Sequence, residues 1–285
     1  MVAICCRTAT GEAANYGVAR GVTPVLATPA FATVFGGPDG ATLKTDHCGQ
    51  VRELEFIALP GTPFRLLAEI RTNTTTVFRV ETNDYPTPAG RALYVDSRFI
   101  EPREMEPAPR RRDLPSESDI IAFLKGAIGS PYVWGGNVRQ GVPDLAGMFY
   151  QGTIPAKAYN KLILAGLDCS GLLYQATGGW TPRNTSQLIT FGHGVPVAGR
   201  TADELAGLLR PLDLIVWNGH VIIVLDRKTV IESRLACGKP GNGGVVATPL
   251  ARRLAEVMRT RRPVDAWPSA GKQGDVLVIR RWYGL

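Results

Sequence analysis

The stretch that decides the fold of this chain reads LDLIVWNGHVIIVLDRKTVIES, from Leu212 to Ser233. Two apolar runs flank Asn218-Gly219, and a third follows the polar residues 226–228. Asn-Gly between apolar runs is a strong hairpin signal, because both central positions of the tight turn need positive φ. The stretch therefore predicts a three-stranded meander with His220 at the start of its middle strand.

Helical patterns surround this meander in the second half of the chain. Ser116 is a predicted helix cap, since apolar residues recur at every third or fourth position after it. Thr201 and Glu204 form a capping box, and further helices are predicted just after Asp168 and after Thr248-Pro249. Helices alternating with a meander predict an α+β domain.

The first hundred residues lack this helical spacing. They carry short apolar and β-branched runs at 51–59, 63–70, 75–80 and 92–100, separated by Gly, Pro, Asn and Asp, and these predict a small all-β barrel. A proline-rich and charged stretch follows and has the composition of an extended linker. We therefore divide the chain into an N-terminal segment (1–20), the all-β domain (21–103), the linker (104–115) and the α+β domain (116–285).

Composition bounds the class of protein. With 285 residues, 45% of them apolar and 20% charged, the chain has the composition of a globular protein, which excludes disorder and collagen-like fibre. Its uncharged apolar runs are too short for a membrane span, and its start lacks a signal-peptide pattern, so we expect a cytoplasmic protein, or a periplasmic one if a leader precedes this sequence. The net charge of +7 favours an anionic partner.

The cysteines and histidines are few. Five cysteines without a CxxC pair, and three histidines, predict reduced thiols and no metal site. Most of them have no motif partner, and no role is predicted for Cys5, Cys6, Cys48, Cys237, His47 and His193.

Cys169 is the candidate nucleophile. It follows the predicted cap Asp168, so it sits at a helix N-terminus, where free N–H groups and the helix dipole stabilise a thiolate. If Leu225 and Thr229 close the turn after the middle strand, Glu232 lies diagonal to His220 on the same face. A carboxylate there would orient the imidazole and favour its charged form. Cysteine, histidine and carboxylate together predict nucleophilic catalysis.

Several motifs occur in a fixed order: Ser130-Pro131-Tyr132-Val133-Trp134-Gly135-Gly136, Asp168-Cys169-Ser170-Gly171-Leu172, Pro182-Arg183-Asn184, Leu212-Asp213-Leu214-Ile215-Val216-Trp217 and Gly219-His220-Val221. Their order and spacing resemble those of NlpC-type (NlpC/P60 family) cysteine peptidases, which act on bacterial cell-wall peptides. The resemblance implies a papain-like NlpC catalytic domain for residues 116–285. Residues 94–100, YVDSRFI, resemble part of the bacterial SH3-like domain that precedes such catalytic domains.

The resemblance also implies roles for individual residues. Cys169 becomes the nucleophile and His220 the base, while Glu232 stands where relatives carry His, Asn or Gln. Tyr132 is implied to line the pocket. Three further positions lie at the substrate in relatives, and here they are Asp168, Ser170 and Arg183.

Two of these residues have another reading. Asp168 also fits a helix cap, and the Arg183 fork fits either a substrate carboxylate or a surface position. Asn184 replaces an aspartate that relatives use for peptides with a free amino terminus. Residues 137–167 are longer than the usual connection, and the helical spacing of 155–164 within them predicts an extra helix over the cleft.

The implied function is hydrolysis of peptidoglycan stem peptides at the γ-D-glutamyl-diaminopimelate bond, through a thioester and without a metal or organic cofactor. Two enzymatic alternatives stay open: an amidase that cuts sugar-linked L-alanine, and an acyltransferase that uses the same thioester. The non-enzymatic alternative is a basic module that binds nucleic acid or lipid through its arginine clusters, but these lack interleaved aromatic residues, so no nucleic-acid partner is predicted. The sequence leaves the oligomeric state open.

Overall fold

A computed structural model describes residues 15–72, 75–239, 242–269 and 274–284. These residues form a mixed structure of helices and antiparallel sheets. Cys5 and Cys6 lie outside the described residues. None of the described helices combines the length and apolar character needed to cross a bilayer.

The N-terminal region is mostly β-structure. Its elements are β1 (Tyr16–Ala19), β2 (Thr23–Leu26), α1 (Phe31–Val34), β3 (Phe35–Gly36), β4 (Thr42–Leu43), β5 (Leu54–Ala58), β6 (Pro63–Arg71), β7 (Thr76–Glu81), β8 (Leu93–Asp96), a 3-10 turn (Ser97–Phe99) and β9 (Ile100–Arg103). The runs predicted at 51–59, 63–70, 75–80 and 92–100 thus coincide with β5 to β8, although β6 and β7 each extend one residue further. The strand β1 lies within the segment assigned before residue 21, and it pairs with β6 and β9.

The N-terminal sheet has the order β5-β2-β8-β7-β6-β1-β9. Among the described residues this path does not close on itself, so the mixed architecture is shown while the SH3-like barrel stays a prediction. The outer edge of β5 is covered by the second half of the chain, because the Asn137 side chain accepts a hydrogen bond from the Ile57 N–H and donates one to the Ile57 carbonyl. A covered edge cannot pair with another chain.

The linker, residues 104–115, contains no helix or strand. It contacts both the N-terminal region and the second half of the chain. Arg110 and Arg112 both pair with the Asp84 carboxylate of the N-terminal region. Arg110 also donates to the Gly178 carbonyl of the second half, 2.9 Å away. The two halves are therefore held together by polar contacts of the linker as well as by the β5 edge.

The second half is the predicted α+β arrangement. Its helices are α2 (Glu117–Gly126), α3 (Asp144–Phe149), α4 (Ala156–Leu162), α5 (Cys169–Ala176), α6 (Thr185–Leu188), α7 (Ala202–Leu208) and α8 (Leu250–Met258). Its strands are β10 (Asn137–Val138), β11 (Gly166–Leu167), β12 (His193–Gly194), β13 (Leu214–Trp217), β14 (His220–Val224), β15 (Thr229–Leu235), β16 (Gly243–Pro249), β17 (Arg262–Pro263) and β18 (Val276–Arg281).

The central sheet has the order β12-β18-β13-β14-β15-β16, and β17 pairs with β18. Apolar side chains on β14 alternate between two cores, so Val221 and Ile223 pack with α5 while Ile222 and Val224 pack with α7 and α8. Both faces are buried, which explains the continuous apolar runs of the meander. The predicted caps are confirmed, because the side chains of Ser116, Asp168 and Thr201 each accept a backbone N–H at the start of their helix.

The prediction of reduced thiols is wrong for two cysteines. Cys48, in the loop before β5, forms a disulfide with Cys237, in the loop after β15. The two residues are 189 positions apart and meet only because the N-terminal region packs against the α+β half. Spacing along the chain carries no signal for such a pair. Among the described residues, Cys169 is the free cysteine.

The extra helix predicted at 155–164 is present as α4, but the expectation that it lies over the cleft is wrong. The segment 137–167 forms α3 and α4, and its apolar residues Leu145 and Leu162 pack in one core with Phe31 and Phe35 of the N-terminal region. The segment therefore joins the two halves of the molecule. No residue from 137–167 lines the pocket around Cys169 described below.

Candidate active site

The candidate nucleophile lies where the start of α5 meets the start of β14. Cys169 is the first residue of α5, and the Asp168 carboxylate caps this helix by accepting the Gly171 N–H at 2.7 Å. The N–H groups of the first helical turn have no acceptor within the helix, so they and the helix dipole favour negative charge at this point. Cys169 Sγ lies 3.9 Å from the Gly219 carbonyl oxygen, in the turn just before His220.

The meander brings His220 and Glu232 together. The pairs Ile223 with Ile231 and Val224 with Val230 define the register, so position 232 faces position 222 and lies diagonal to 220. This is the predicted register, closed by the backbone bond from Leu225 to Thr229. His220 Nε2 and Glu232 Oε2 are 2.6 Å apart.

The charge state of the histidine follows from its neighbours. Burial disfavours the charged ring, but hydrogen bonds and attraction to Cys169 and Glu232 outweigh it and raise the pKa of His220 to about 9. Because Nε2 is hydrogen-bonded to Glu232, Nδ1 is the ring nitrogen left for the hydrogen bond with Cys169. This raised pKa favours the charged form of the His220 ring at neutral pH, between the sulfur of Cys169 and the carboxylate of Glu232.

Glu232 has a second partner that the sequence did not predict. Its carboxylate is fully buried and accepts hydrogen bonds from Arg253 Nε at 2.6 Å and from Arg253 Nη2 at 2.9 Å. Burial favours the neutral acid, yet the hydrogen bonds and charges of His220 and Arg253 outweigh it and hold the pKa of Glu232 below its usual value. Arg234, on the same strand as Glu232, is more distant from that carboxylate, at 3.9 Å.

Trp217 packs against the histidine from the other strand of the hairpin. The ring centroids of Trp217 and His220 are 5.1 Å apart. The Arg261 guanidinium lies over the Trp217 ring, 4.5 Å from its centroid. The register pairs Trp217 directly with His220 across the Asn-Gly turn. The tryptophan therefore restricts the ring of the histidine on one side.

The pocket beside Cys169 has a volume of about 130 Å³ and receives residues from both halves of the chain. Its lining residues are Glu55, Tyr85, Tyr132, Trp134, Gly135, Asp168, Cys169, Ser170, Arg183, Asn184, Thr185 and Gly219. A larger cavity of about 820 Å³ lies beside Arg210 and Arg281, but neither cysteine nor histidine lines it. The small pocket is the one lined by the candidate nucleophile, Cys169.

Tyr132 lines this pocket as the sequence resemblance implies. Burial, followed by the negative charges of Asp168 and Cys169, raises the pKa of Tyr132, so its hydroxyl stays protonated and can donate to a ligand. The following loop is tied to the N-terminal region, since the Trp134 N–H donates to Gln50 Oε1 at 2.9 Å. Gly135 has φ +70°, and a Cβ there would lie 2.6 Å from the Leu54 carbonyl oxygen.

Arg183 lines the pocket but is buried there rather than on the protein surface. It is 2% exposed, and its guanidinium donates to both carboxylate oxygens of Asp168, the nearer contact being 2.6 Å. It also donates to Ser170 Oγ at 2.9 Å and Asn137 Oδ1 at 3.1 Å. All of its nitrogens thus have protein partners, and the fork positions Asp168 and Ser170 beside the nucleophile.

Two pocket residues from the N-terminal region were missed by sequence reasoning. Glu55 accepts a 2.8 Å hydrogen bond from the Tyr85 hydroxyl and lies 3.4 Å from Arg91. Burial raises the pKa of Tyr85, which keeps it a donor. Neither residue stands in a motif, and no local signal shows that β5 would reach the cleft.

One further cluster lies near the disulfide. The ligand atoms of His47, Cys48 and Cys237 lie within 4.8 Å of one another. Because the two sulfurs are bonded to each other, they are not free to bind a metal.

The fold and site define an α+β protein with a Cys-His-Glu arrangement at a helix N-terminus. No protein-family model and no curated protein sequence matches the chain. The structure is similar to that of an NlpC/P60 family protein from Bacillus cereus, with 16% identity, 94% of this chain and 63% of that chain covered, and a TM-score of 0.32. The chain thus spans less than two thirds of that protein.

Two other solved structures are similar to this chain. RipD from Mycobacterium tuberculosis, described as a non-catalytic NlpC/P60 domain protein adapted to peptidoglycan binding, has 19% identity, with 58% of this chain and 95% of that chain covered and a TM-score of 0.33. An NlpC/P60 endopeptidase from Photobacterium damselae subsp. piscicida has 13% identity, with 83% of this chain and 66% of that chain covered and a TM-score of 0.42.

Proposed function

We propose that this protein is a cysteine peptidase that hydrolyses peptidoglycan stem peptides. The observation that carries the proposal is the chain of contacts from Cys169, which lines a pocket, through His220 to the buried Glu232. A nucleophile, a base and a group that orients the base are the parts that nucleophilic amide hydrolysis requires.

The first half of the reaction forms a thioester. The Cys169 thiolate attacks the carbonyl carbon of the amide, a C–S bond forms, and the carbonyl electron pair moves to the oxygen. The N–H groups at the start of α5, including that of Cys169, stabilise this oxyanion. The His220 imidazolium then gives its proton to the amide nitrogen, the C–N bond breaks, and the amine leaves.

The second half restores the enzyme. Neutral His220 takes a proton from water while the water oxygen attacks the thioester carbon. Collapse of this second tetrahedral intermediate breaks the C–S bond and releases a carboxylic acid. Glu232 stabilises the imidazolium in both halves and keeps Nε2 protonated, so that Nδ1 exchanges the proton.

The shape and charge of the pocket support a small peptide with a free amino group. A volume of about 130 Å³ holds one or two small residues rather than a polymer. The Glu55 carboxylate lines the pocket and suits an ammonium group, while the Tyr132 hydroxyl suits a carbonyl or carboxylate. We place the cleaved bond between γ-D-glutamate and diaminopimelate, as the sequence resemblance implies.

The disulfide bears on where the protein acts. Disulfides persist in oxidising compartments and are rare in the cytosol. The Cys48–Cys237 bond therefore supports action in the periplasm or outside the cell rather than in the cytoplasm.

The test is incubation of the protein and of Cys169→Ala with L-Ala-γ-D-Glu-diaminopimelate, with and without the sugar attached, followed by mass spectrometry. We expect L-Ala-γ-D-Glu and free diaminopimelate from the parent protein alone. Cleavage between the sugar and L-alanine would instead identify an amidase, and transfer to an added amine would identify an acyltransferase. Binding without cleavage by both forms would overturn the peptidase proposal in favour of peptidoglycan binding.

A further inference from the structure

Arg253 occupies a position that the simple triad does not explain. It extends from α8 to the buried Glu232 carboxylate and contacts both of its oxygens through Nε and Nη2. The side chain of Arg253 is 15% exposed, so this charged fork is largely removed from water. Bidentate pairs of this kind fix the plane of the carboxylate as well as supply charge.

The contact shares one oxygen with the catalytic histidine. Glu232 Oε2 lies 2.6 Å from His220 Nε2 and also accepts from Arg253 Nη2. A rotation or neutralisation of this carboxylate therefore changes the hydrogen bond and the charge interaction of the His220 imidazole. Arg253 does not line the pocket, so it acts through Glu232 and not on the substrate.

We propose that Arg253 is a positioning residue for the Cys169–His220 pair: its guanidinium fixes the Glu232 carboxylate and offsets part of its charge, which limits how tightly His220 holds its proton. The inference rests on the proposed peptidase function. Without Arg253, the full negative charge of the buried Glu232 carboxylate would act on the His220 imidazolium. The imidazolium would then be a weaker acid. A weaker acid protonates the leaving amine less readily.

The charged groups around the pair are few. Glu232 is faced by His220 from β14, by Arg253 from α8 and, at 3.9 Å, by Arg234 of its own strand. His220 is faced by Cys169 from α5 and by Glu232, with Arg261 behind the Trp217 ring. Arg253 also touches Glu256 at 3.3 Å, but Glu256 keeps its own partner, Arg252, at 3.0 Å when Arg253 is replaced.

The sign of the expected effect follows from charge alone. A positive charge favours the deprotonated form of each neighbour, so its removal makes His220 keep its proton to higher pH. Arg253→Met keeps the length of the side chain without the charge, and Arg253→Lys keeps the charge without the fork. Arg252→Met is the matched control, because Arg252 is adjacent, 73% exposed and paired only to Glu256 among the described residues.

The readout that needs no substrate is the NMR titration of the histidine Cε1 resonances, which is tractable since the chain has three histidines. His220 is assigned from its absence in His220→Gln, and His47 and His193 serve as internal references. We expect Arg253→Met to move the His220 midpoint upward by about one pH unit. Arg253→Lys should restore most of the parent value, and Arg252→Met should match it.

Kinetics on the stem peptide give the second readout. Arg253→Met should lower kcat about tenfold with KM unchanged, and the alkaline limb of the pH profile should move with the NMR midpoint. An equal loss at every pH, or equal shifts in Arg253→Met and Arg252→Met, would overturn the inference. If the parent protein cleaves no peptide but the NMR midpoint moves as expected, the proposed function fails while the role of Arg253 stands. Arg253→Lys preserves the test if Arg253→Met folds poorly.

Discussion

The carboxylate of Glu232 lies 2.6 Å from His220 Nε2, although the two residues are twelve positions apart on different strands. The distance follows from the turn after β14, where Leu225 and Thr229 are joined by a backbone hydrogen bond. A turn shorter by one residue would point the carboxylate to the opposite face of the sheet. The contact between the His220 ring and the Glu232 carboxylate thus depends on the length of one turn.

Replacing Glu232 by glutamine removes the charge that faces the imidazolium. We expect the pKa of His220 to fall, the alkaline limb of kcat/KM to move to lower pH, and kcat to drop roughly 10- to 100-fold. The measurement is the pH profile of stem-peptide cleavage. Glu256→Gln is the control, because Glu256 contacts Arg253 at 3.3 Å without touching His220. Identical profiles for the two variants would contradict the role of Glu232.

The pH dependence of stability provides a test without substrate. The pKa of His220 is raised to about 9 from an ordinary 6.5, so its stabilising charge interactions are fully present below pH 6.5 and are lost as the pH rises through 9. The free energy of unfolding should therefore decline between these values more steeply in the parent than in His220→Gln. Urea unfolding at intervals of pH across this window measures the free energy of unfolding of both proteins. If it changes with pH equally in the two, the raised pKa of His220 is refuted.

The buried pair of Arg183 and Asp168 predicts a large loss of stability. Arg183→Met leaves the Asp168 carboxylate buried without its main partner, which costs about 3–5 kcal/mol. Arg111→Met removes an arginine whose ion pair with Asp113 is exposed, and should change stability by less than about 1 kcal/mol. Urea unfolding of both variants compares them. Similar small losses in both variants would show that the contacts of Arg183 with Asp168 are not essential for stability.

The disulfide between Cys48 and Cys237 predicts a specific pattern of alkylation. In denatured, unreduced protein these two cysteines should remain unlabelled while Cys169 reacts. Cys48→Ser should lower the free energy of unfolding by about 2–4 kcal/mol, which corresponds to roughly 5–10 °C in Tm. Peptide mass spectrometry and thermal unfolding measure the two effects. Full labelling of both cysteines would disprove the bond.

Glu55 predicts selectivity for a free amino terminus. Glu55→Gln should raise KM about tenfold for L-Ala-γ-D-Glu-diaminopimelate and leave the low activity on the N-acetylated peptide unchanged. Glu53→Gln is the control, since Glu53 lies two positions earlier and pairs with Lys44 outside the pocket. Equal effects on both peptides would remove Glu55 from substrate recognition.

Much of the α+β half was predictable because its signals are local. The Asn218-Gly219 turn fixed the hairpin, and the caps at Ser116, Asp168 and Thr201 marked three helix starts. The pairing of Glu232 with position 222 needed only one assumption about turn length. These features depend on backbone conformation and on neighbours close in sequence, so periodicity and capping patterns reveal them.

The contacts that were missed all join distant parts of the chain. Arg253 reaches Glu232 from another element, Glu55 enters the pocket from the N-terminal sheet, and Cys48 meets Cys237 across both halves. The segment 137–167 was expected over the cleft because its helical spacing was visible while its packing partner was not. Amphipathic spacing shows that a helix has an apolar face, and it does not show what covers that face.

The sequence by itself predicted the meander β13 to β15 and three helix caps, and it singled out Cys169 and His220 as candidates, since each signal lies in residues close together along the chain. Only the tertiary structure decided what surrounds them: the guanidinium behind Glu232, the carboxylate of Glu55 beside the nucleophile, and the burial of Arg183. The physical reason is that charge interactions and burial depend on distance in space. Packing of the two halves sets those distances, and no local pattern encodes them.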